Sequence, residues 1–236
     1  MEDALGDPAR KAALFDSLAT AGKALANGKR LELLDLLAQG ERSVDALAKA
    51  AGLGLTTASA HLQALRRAGL VTTRRDGVRI HYRLAGDDVA ALYVLLQQVA
   101  GAHLAQAEHA RAAYLGPQDT EHLTREELLE RVKAGTTTLI DVRPAEEYAA
   151  GHIPGALSVP LDQLDARLAE LPADIEIVAY CRGANSVLVH DAVRLLAERG
   201  RRAKRLADGM LEWRLAALPV ETAAAWPVPG PPARSH

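Results

Sequence analysis

At Gly116-Pro117 the hydrophobic rhythm of the chain changes, and few folds can accommodate both halves. Before that break the apolar residues recur near a helical period, with one alternating stretch; after it, helical and strand-like segments alternate. A chain of 236 residues, at roughly 150 per domain, has room for two small domains. The segment 113–121, with Gly-Pro and polar residues, reads as the linker between a domain at 1–112 and another at 122–220. The Ala/Pro-rich tail 221–236 reads as disordered.

Composition excludes several classes. With 49% hydrophobic and 25% charged residues the chain reads as globular rather than disordered. Its most apolar stretch, 89–105, is interrupted by Gln97, Gln98 and His103, and is too short and broken to span a membrane. The opening residues lack the basic segment and apolar core of a secretory signal, so the expected location is the cytoplasm. One cysteine, Cys181, excludes an intrachain disulfide framework and a multi-thiolate metal cage.

Charge is divided unevenly. Residues 1–112 carry a net +2 and residues 113–236 a net −4, while residues 42–83 hold eight Lys/Arg against Asp45 and Asp76. Such a concentration points to a polyanionic partner, or to a solvated helix face. With only 3% aromatic residues the chain is poor in stacking platforms for single strands, which leaves duplex DNA as the expected nucleic acid.

The leucines at 31, 33, 34, 36 and 37 form one amphipathic helix that stops at Gln39-Gly40. Ser43 is placed to cap a second short helix. After Gly52-Leu53-Gly54, Thr56 or Thr57 is placed to cap a third, with Ala58, Leu62 and Leu65 on its buried face. Projected at 100° per residue, Thr56, Thr57, Gln63 and Arg67 point away from that stripe, Ser59 flanks it, and His61 lies nearer to it. Hydroxyls, an amide and an arginine suit phosphates and base edges in the major groove. Two alternating segments around Asp76-Gly77 then predict a hairpin carrying Arg74, Arg75 and Arg79.

The run Ala60-His61-Leu62-Gln63-Ala64-Leu65-Arg66-Arg67-Ala68-Gly69-Leu70-Val71, with the hairpin and Tyr82-Arg83-Leu84 after it, resembles an ArsR-type winged helix over about residues 8–112. The resemblance implies a homodimer bound to an inverted-repeat operator, usually as a repressor. The all-round apolar helix at 89–104 fits a dimer, being suited to burial on several sides. Metal-sensing members place cysteines where this chain reads Ser43-Val44-Asp45-Ala46-Leu47, and His103 and His109 fall on different helical faces, so neither a metal nor a cofactor is expected.

In the second half, strands are expected at 138–142, 175–180 and 203–207, and helices at 123–132, 161–171, 187–199 and 210–217: a small α/β domain with a parallel sheet. Cys181 follows the second strand directly, where ligands gather in open parallel sheets. Its loop, Arg182-Gly183-Ala184-Asn185-Ser186, leads into a helix whose N–H groups and dipole, with Arg182, favour a thiolate; the alternative is an inert buried thiol.

Four segments in order carry a second resemblance over residues 120–220: the Asp141-Val142-Arg143-Pro144-Ala145-Glu146-Glu147-Tyr148 run, Gly151-His152-Ile153-Pro154-Gly155-Ala156, the Cys181 loop, and Asp208-Gly209-Met210-Leu211-Glu212-Trp213. They resemble a rhodanese domain. That resemblance implies that Cys181 accepts a sulfane sulfur as a persulfide, that N–H groups from Arg182 to Ser186 cradle it, and that Arg182 attracts an anionic donor such as thiosulfate. Asp141, Arg143, His152 and His190 are assigned to packing.

Rhodanese-like phosphatases place an arginine six residues after the cysteine, where this chain has Val187, which argues against phosphatase activity. Fused ArsR-rhodanese proteins often carry a second cysteine where Ser186 stands. The expectation is a regulator, acting as a repressor, coupled to sulfur loading at Cys181 by a sulfane-sulfur donor or small thiol. The competing expectations are a working sulfurtransferase whose winged helix only controls its own synthesis, and an inert docking module.

Overall fold

A computed structural model describes residues 7–117 and 120–222, in two compact units that divide between His103 and Leu104. Among the described residues no helix is long and apolar enough to cross a membrane.

The first unit runs α1 (Pro8–Leu25), α2 (Gly28–Ala38), β1 (Arg42–Ser43), α3 (Val44–Ala50), α4 (Leu55–Arg67), β2 (Val71–Asp76), β3 (Arg79–Leu84) and α5 (Asp87–His103). Asn27 caps α2 by accepting from Arg30 N–H at 3.1 Å, and Ser43 caps α3 by accepting from Ala46 N–H at 3.3 Å. Ala58, Leu62 and Leu65 are fully buried, and the two leucines pack with Leu33, Leu37, Leu47 and Tyr82. The spacing i, i+4, i+7 on α4 thus fastens the helix to the core and turns its other side outward. The strands form an antiparallel sheet in the order β1-β3-β2, with Asp76 paired to Arg79. Their two-residue loop is Gly77-Val78, with Gly77 at φ +59°, the left-handed conformation a hairpin of this length needs at its first position.

One expectation is revised. The cap of α4 is Gly54, without a side-chain bond, so Thr56 and Thr57 lie inside the first turn rather than at the cap. Only Val89 and Ala90 of α5 are buried in this chain; Leu92, Leu95 and Val99 stand exposed, as do Leu14, Phe15 and Leu18 of α1.

The second unit runs α6 (Ala105–Leu115), β4 (His122–Leu123), α7 (Arg125–Lys133), β5 (Thr137–Asp141), α8 (Ala145–Ala150), β6 (Leu157–Ser158), α9 (Leu161–Leu164), β7 (Glu176–Tyr180), α10 (Val187–Glu198), β8 (Ala203–Leu206) and α11 (Met210–Leu215). The division at 103/104 precedes the break expected at 113–121. The chain leaves its helical path at Leu104, whose backbone is extended, and α6 then packs on α10; Leu115 is buried, and Arg194 donates to Pro117 O at 2.8 Å. Residues 161–171, expected as one helix, form α9 and a single 3₁₀ turn at Leu168–Glu170. Of the tail, 223–236 lie outside the described residues, while Glu221 is bridged to His152 through N–H to O bonds of 2.8 and 3.0 Å.

All five strands are parallel, in the order β4-β8-β7-β5-β6. Side chains alternate across the sheet. Ile140, Val142, Ile177, Ala179 and Cys181 pack toward α9 and α10, whereas Leu139, Val178, Tyr180 and Leu206 pack with Leu128, Met210 and Trp213 of α7 and α11. The result is a three-layer α/β unit with β7 at its centre. At the carboxyl end of β5, Asp141 and Arg143 are both fully buried; Asp141 accepts from the Arg143 side chain and N–H, and Arg143 also donates to Gly151 O at 2.8 Å. Tyr180 accepts from Ile153 N–H at 3.0 Å.

Replacing Arg143 by Met would leave the Asp141 carboxylate buried without its partner, an expected loss of about 3–5 kcal/mol. Urea unfolding followed by tryptophan fluorescence reports the second unit alone, because Trp213 and Trp226 are the only tryptophans. An unchanged midpoint would contradict the expectation.

Candidate functional site

The outward side of α4 presents Thr56, Thr57, Gln63 and Arg67, all exposed, with Ser59 and His61 half-buried. Gln63 Nε2 donates to Ser59 Oγ at 3.4 Å, so these two form one polar patch. On the hairpin, Arg74, Arg75 and Arg79 are exposed. Arg75 Nε donates to Gly77 O at 3.0 Å, close to the turn. Arg74 is differently placed. Its guanidinium donates to Glu41 Oε1 at 2.9 and 2.6 Å and lies 3.6 Å from Asp76, and the Glu41 bond raises its pKa. Its charge is therefore partly cancelled within the fold. Glu41 stands one position before the basic stretch counted in the sequence, and only the pairing of β1 with β3 and β3 with β2 brings it beside Arg74.

Cys181 sits at the carboxyl end of β7, 1% exposed, with its side chain in the cluster under α10. Ser186 occupies the N-cap position of α10 but makes no side-chain cap bond. Instead its hydroxyl donates to Cys181 Sγ at 2.9 Å. The loop is held from below by α11, whose first two N–H groups donate to Cys181 O and Arg182 O at 2.9 Å each. A Cβ at Gly209 would run into the Gly183 backbone, so this close approach requires glycine.

The expected thiolate is not what this environment favours. Burial pushes the Cys181 thiol up to about 12, outweighing the Ser186 hydroxyl, the Arg182 charge and the Arg182 N–H, which all pull it down. Arg182 is also not directed at an incoming anion. Its guanidinium forks onto the buried Glu147 carboxylate, donating from Nε to Oε2 at 2.9 Å and Oε1 at 3.1 Å and from Nη2 to Oε1 at 2.6 Å. Two loop amides are engaged inside the protein as well: Ala184 N–H donates to Glu212 Oε1 at 3.3 Å and Ser186 N–H to Gly183 O at 3.1 Å. Gly183 and Asn185 complete the turn between them, half-buried.

The residues assigned to packing are buried with polar partners. His152 stacks on Tyr148 at 3.7 Å between ring centroids and reaches Tyr148 O through Nδ1, and His190 Nδ1 meets Thr120 Oγ1 at 3.1 Å. Sequence reasoning missed Glu147 and Glu212 as determinants of the loop. Both lie in motifs read as structural, and their partners stand 35 and 28 residues away.

A family model described as "Bacterial regulatory protein, arsR family" matches residues 27–73, and one described as "Rhodanese-like domain" matches residues 124–216. The chain is 60% identical over 220 residues to the HTH-type transcriptional regulator Rv0324 of Mycobacterium tuberculosis, spanning 93% of this chain and 96% of the relative. It is 37% identical over 84 residues to a sulfurtransferase of Allochromatium vinosum, spanning 35% of this chain and 76% of the relative. Among solved structures, the homodimeric winged helix-turn-helix DNA-binding domain (fragment 1–100) of Mb0332 from Mycobacterium bovis is 61% identical and covers 43% of this chain and 94% of its own, at a TM-score of 0.40.

The raised thiol pKa has a signed consequence. An ordinary thiol ionises near 9.0 and this one at about 12, so its contribution to stability is fully present below pH 9 and is lost as pH climbs toward 12. The wild-type second unit should lose more stability between pH 9 and 11 than Cys181→Ala, measured by urea midpoints. Iodoacetamide should alkylate the folded protein at pH 8 far more slowly than the urea-unfolded protein; equal rates would mean that the thiol is not buried.

Proposed function

The chain belongs to the ArsR-family transcriptional regulators that carry a C-terminal rhodanese-like domain, and we propose that it binds operator DNA as a homodimeric repressor whose affinity responds to reactive sulfur loaded on Cys181. The observation that carries this reading is the Cys181 loop. A sulfur atom at the carboxyl end of a central parallel strand, bonded by the hydroxyl of Ser186 and followed after residues 182–186 by α10, supports the reading that it takes a sulfane sulfur near the start of a helix. The same chain carries the exposed polar side of α4 and the arginines of the hairpin. Binding of chromosomal DNA assigns the protein to the cytoplasm in this reading.

Dimerisation is supported by the apolar side chains left exposed on α1 and α5. Leu92, Leu95 and Val99 follow one stripe of α5, and Leu14, Phe15 and Leu18 cluster on α1. Pairing such faces about a two-fold axis would set two α4 helices about one DNA turn apart, roughly 34 Å. Coupling between the domains would need the loaded and free thiol to favour DNA-competent dimers by different amounts, typically about 1–3 kcal/mol.

The test is a titration of the full chain on labelled DNA from its own promoter region, at fixed salt, before and after a persulfide donor. The expected result is a shift of about fivefold or more, reversed by a thiol reductant, and a Cys181→Ser variant that binds the DNA but ignores the donor. A variant that still responds would overturn the assignment of Cys181. On the DNA side, Arg67→Ala and Arg75→Ala should each lower the slope of log affinity against log salt by about 1, whereas Arg74→Ala, already tied to Glu41, should lower it by less.

The relative named a sulfurtransferase favours a second reading, in which the domain turns over and the winged helix only controls its synthesis. Multiple-turnover transfer of sulfur to an acceptor thiol, together with DNA affinity indifferent to sulfur loading, would select it.

A further inference from the structure

We infer that the sulfur donor is a persulfide of a small thiol carrying no net negative charge, and that anionic donors such as thiosulfate are selected against. This rests on the reading of Cys181 as a sulfur acceptor and specifies what it accepts.

Three observations converge. The cation of the loop itself, Arg182, is neutralised by Glu147, whose side chain is 1% exposed and so presents an unscreened opposite charge. A second carboxylate, Glu212, already takes the Ala184 N–H and the Gly209 N–H on the loop itself. At the carboxyl edge of the sheet, lined by residues that follow β5 and β6 and by Leu188 of α10, opens a cleft of about 460 Å³. Its apolar wall includes Val142, Leu161 and Leu188, which pack in or against the cluster that holds Cys181. Its charged lining residues are Glu146 and Asp162, both exposed, and among the described residues that line it there is neither Lys nor Arg.

The loop and the neighbouring cleft wall together thus carry a surplus of negative charge. A dianion meets repulsion there, and no uncommitted guanidinium rewards it. The apolar wall, on the other hand, offers contact to the organic body of a thiol carrier, in a volume suited to a small molecule. Thiosulfate has no such body.

The transfer needs no outside oxidant. The Cys181 sulfur attacks the outer sulfur of R–S–S–H; a new S–S bond forms to Cys181 as the old one breaks, and RS⁻ leaves with the electron pair of that bond. The proton that Cys181 gives up goes to the departing thiolate, so R–S–S–H and Cys181–SH become R–SH and Cys181–S–SH. The Ser186 hydroxyl, 2.9 Å from Sγ, steadies the Cys181 thiolate formed as its proton leaves, before its electron pair is committed to the new bond.

The experiment is single-turnover loading of the full chain by matched small donors, namely the persulfides of cysteamine, mercaptoethanol and mercaptopropionate, and thiosulfate, followed by intact mass (one added sulfur). Each rate is divided by that of the same donor with a free small thiol. The expected order is cysteamine, mercaptoethanol, mercaptopropionate, thiosulfate, with a spread on the order of tenfold at low ionic strength that narrows in salt. The exposed pair Glu146→Gln with Asp162→Asn should narrow it too, chiefly by raising the anionic rates. Loading without charge order, or fastest with thiosulfate, would overturn the donor assignment and leave Cys181 as a sulfur acceptor. Loading by none of the four would overturn the acceptor reading itself.

Discussion

The chemistry of the second unit depends on one strand being buried on both sides. β7 lies between β5 and β8 in a parallel sheet, with Ile177 and Ala179 facing one helical layer and Val178 and Tyr180 the other. The same alternation carries Cys181 into the α10 layer, the next residue inward after Ala179. Its sulfur is desolvated because the fold requires that position to be apolar, and its thiol rises for that reason rather than through any single neighbour. A one-residue slip of β7 would exchange the environments of Tyr180 and Cys181 and undo the site.

Charge in this protein is largely committed inside the fold. Asp141 holds Arg143, Glu147 holds Arg182 and Glu41 holds Arg74, each across a different element boundary. Formal counts along the sequence therefore overstate what is offered to a partner. The hairpin presents Arg75 and Arg79 more openly than Arg74, and the Cys181 loop presents less positive charge than its arginine suggests.

Much of this was legible in the residues. The stripe Ala58, Leu62, Leu65 placed α4 and its outward side, the hairpin followed from Asp76-Gly77, and the position of Cys181 followed from the apolar run before it. What escaped was short or distant. α8, β4 and β6 have two to six residues each, too few to show a period. Leu123 was read into a helix because Thr124 caps α7 only one residue later, through a reciprocal box with Glu127. The break in the helical path at Leu104 has no proline beside it, and the nearest glycine, Gly101, lies inside α5, so nothing in the residues marks that break as Gly116-Pro117 marks its own. The loop was read from its own residues, while its electrostatics come from carboxylates tens of residues away.

The bond from Ser186 to Cys181 also determines what kind of memory such a loop can keep. A hydroxyl can support a sulfur but cannot be oxidised to it, and the chain has no second cysteine to close a ring. A loop with two thiols works like a fuse: once bridged, it stays so until something reduces it. With one thiol, occupancy follows the running ratio of persulfide to thiol around the protein, as a gauge follows pressure.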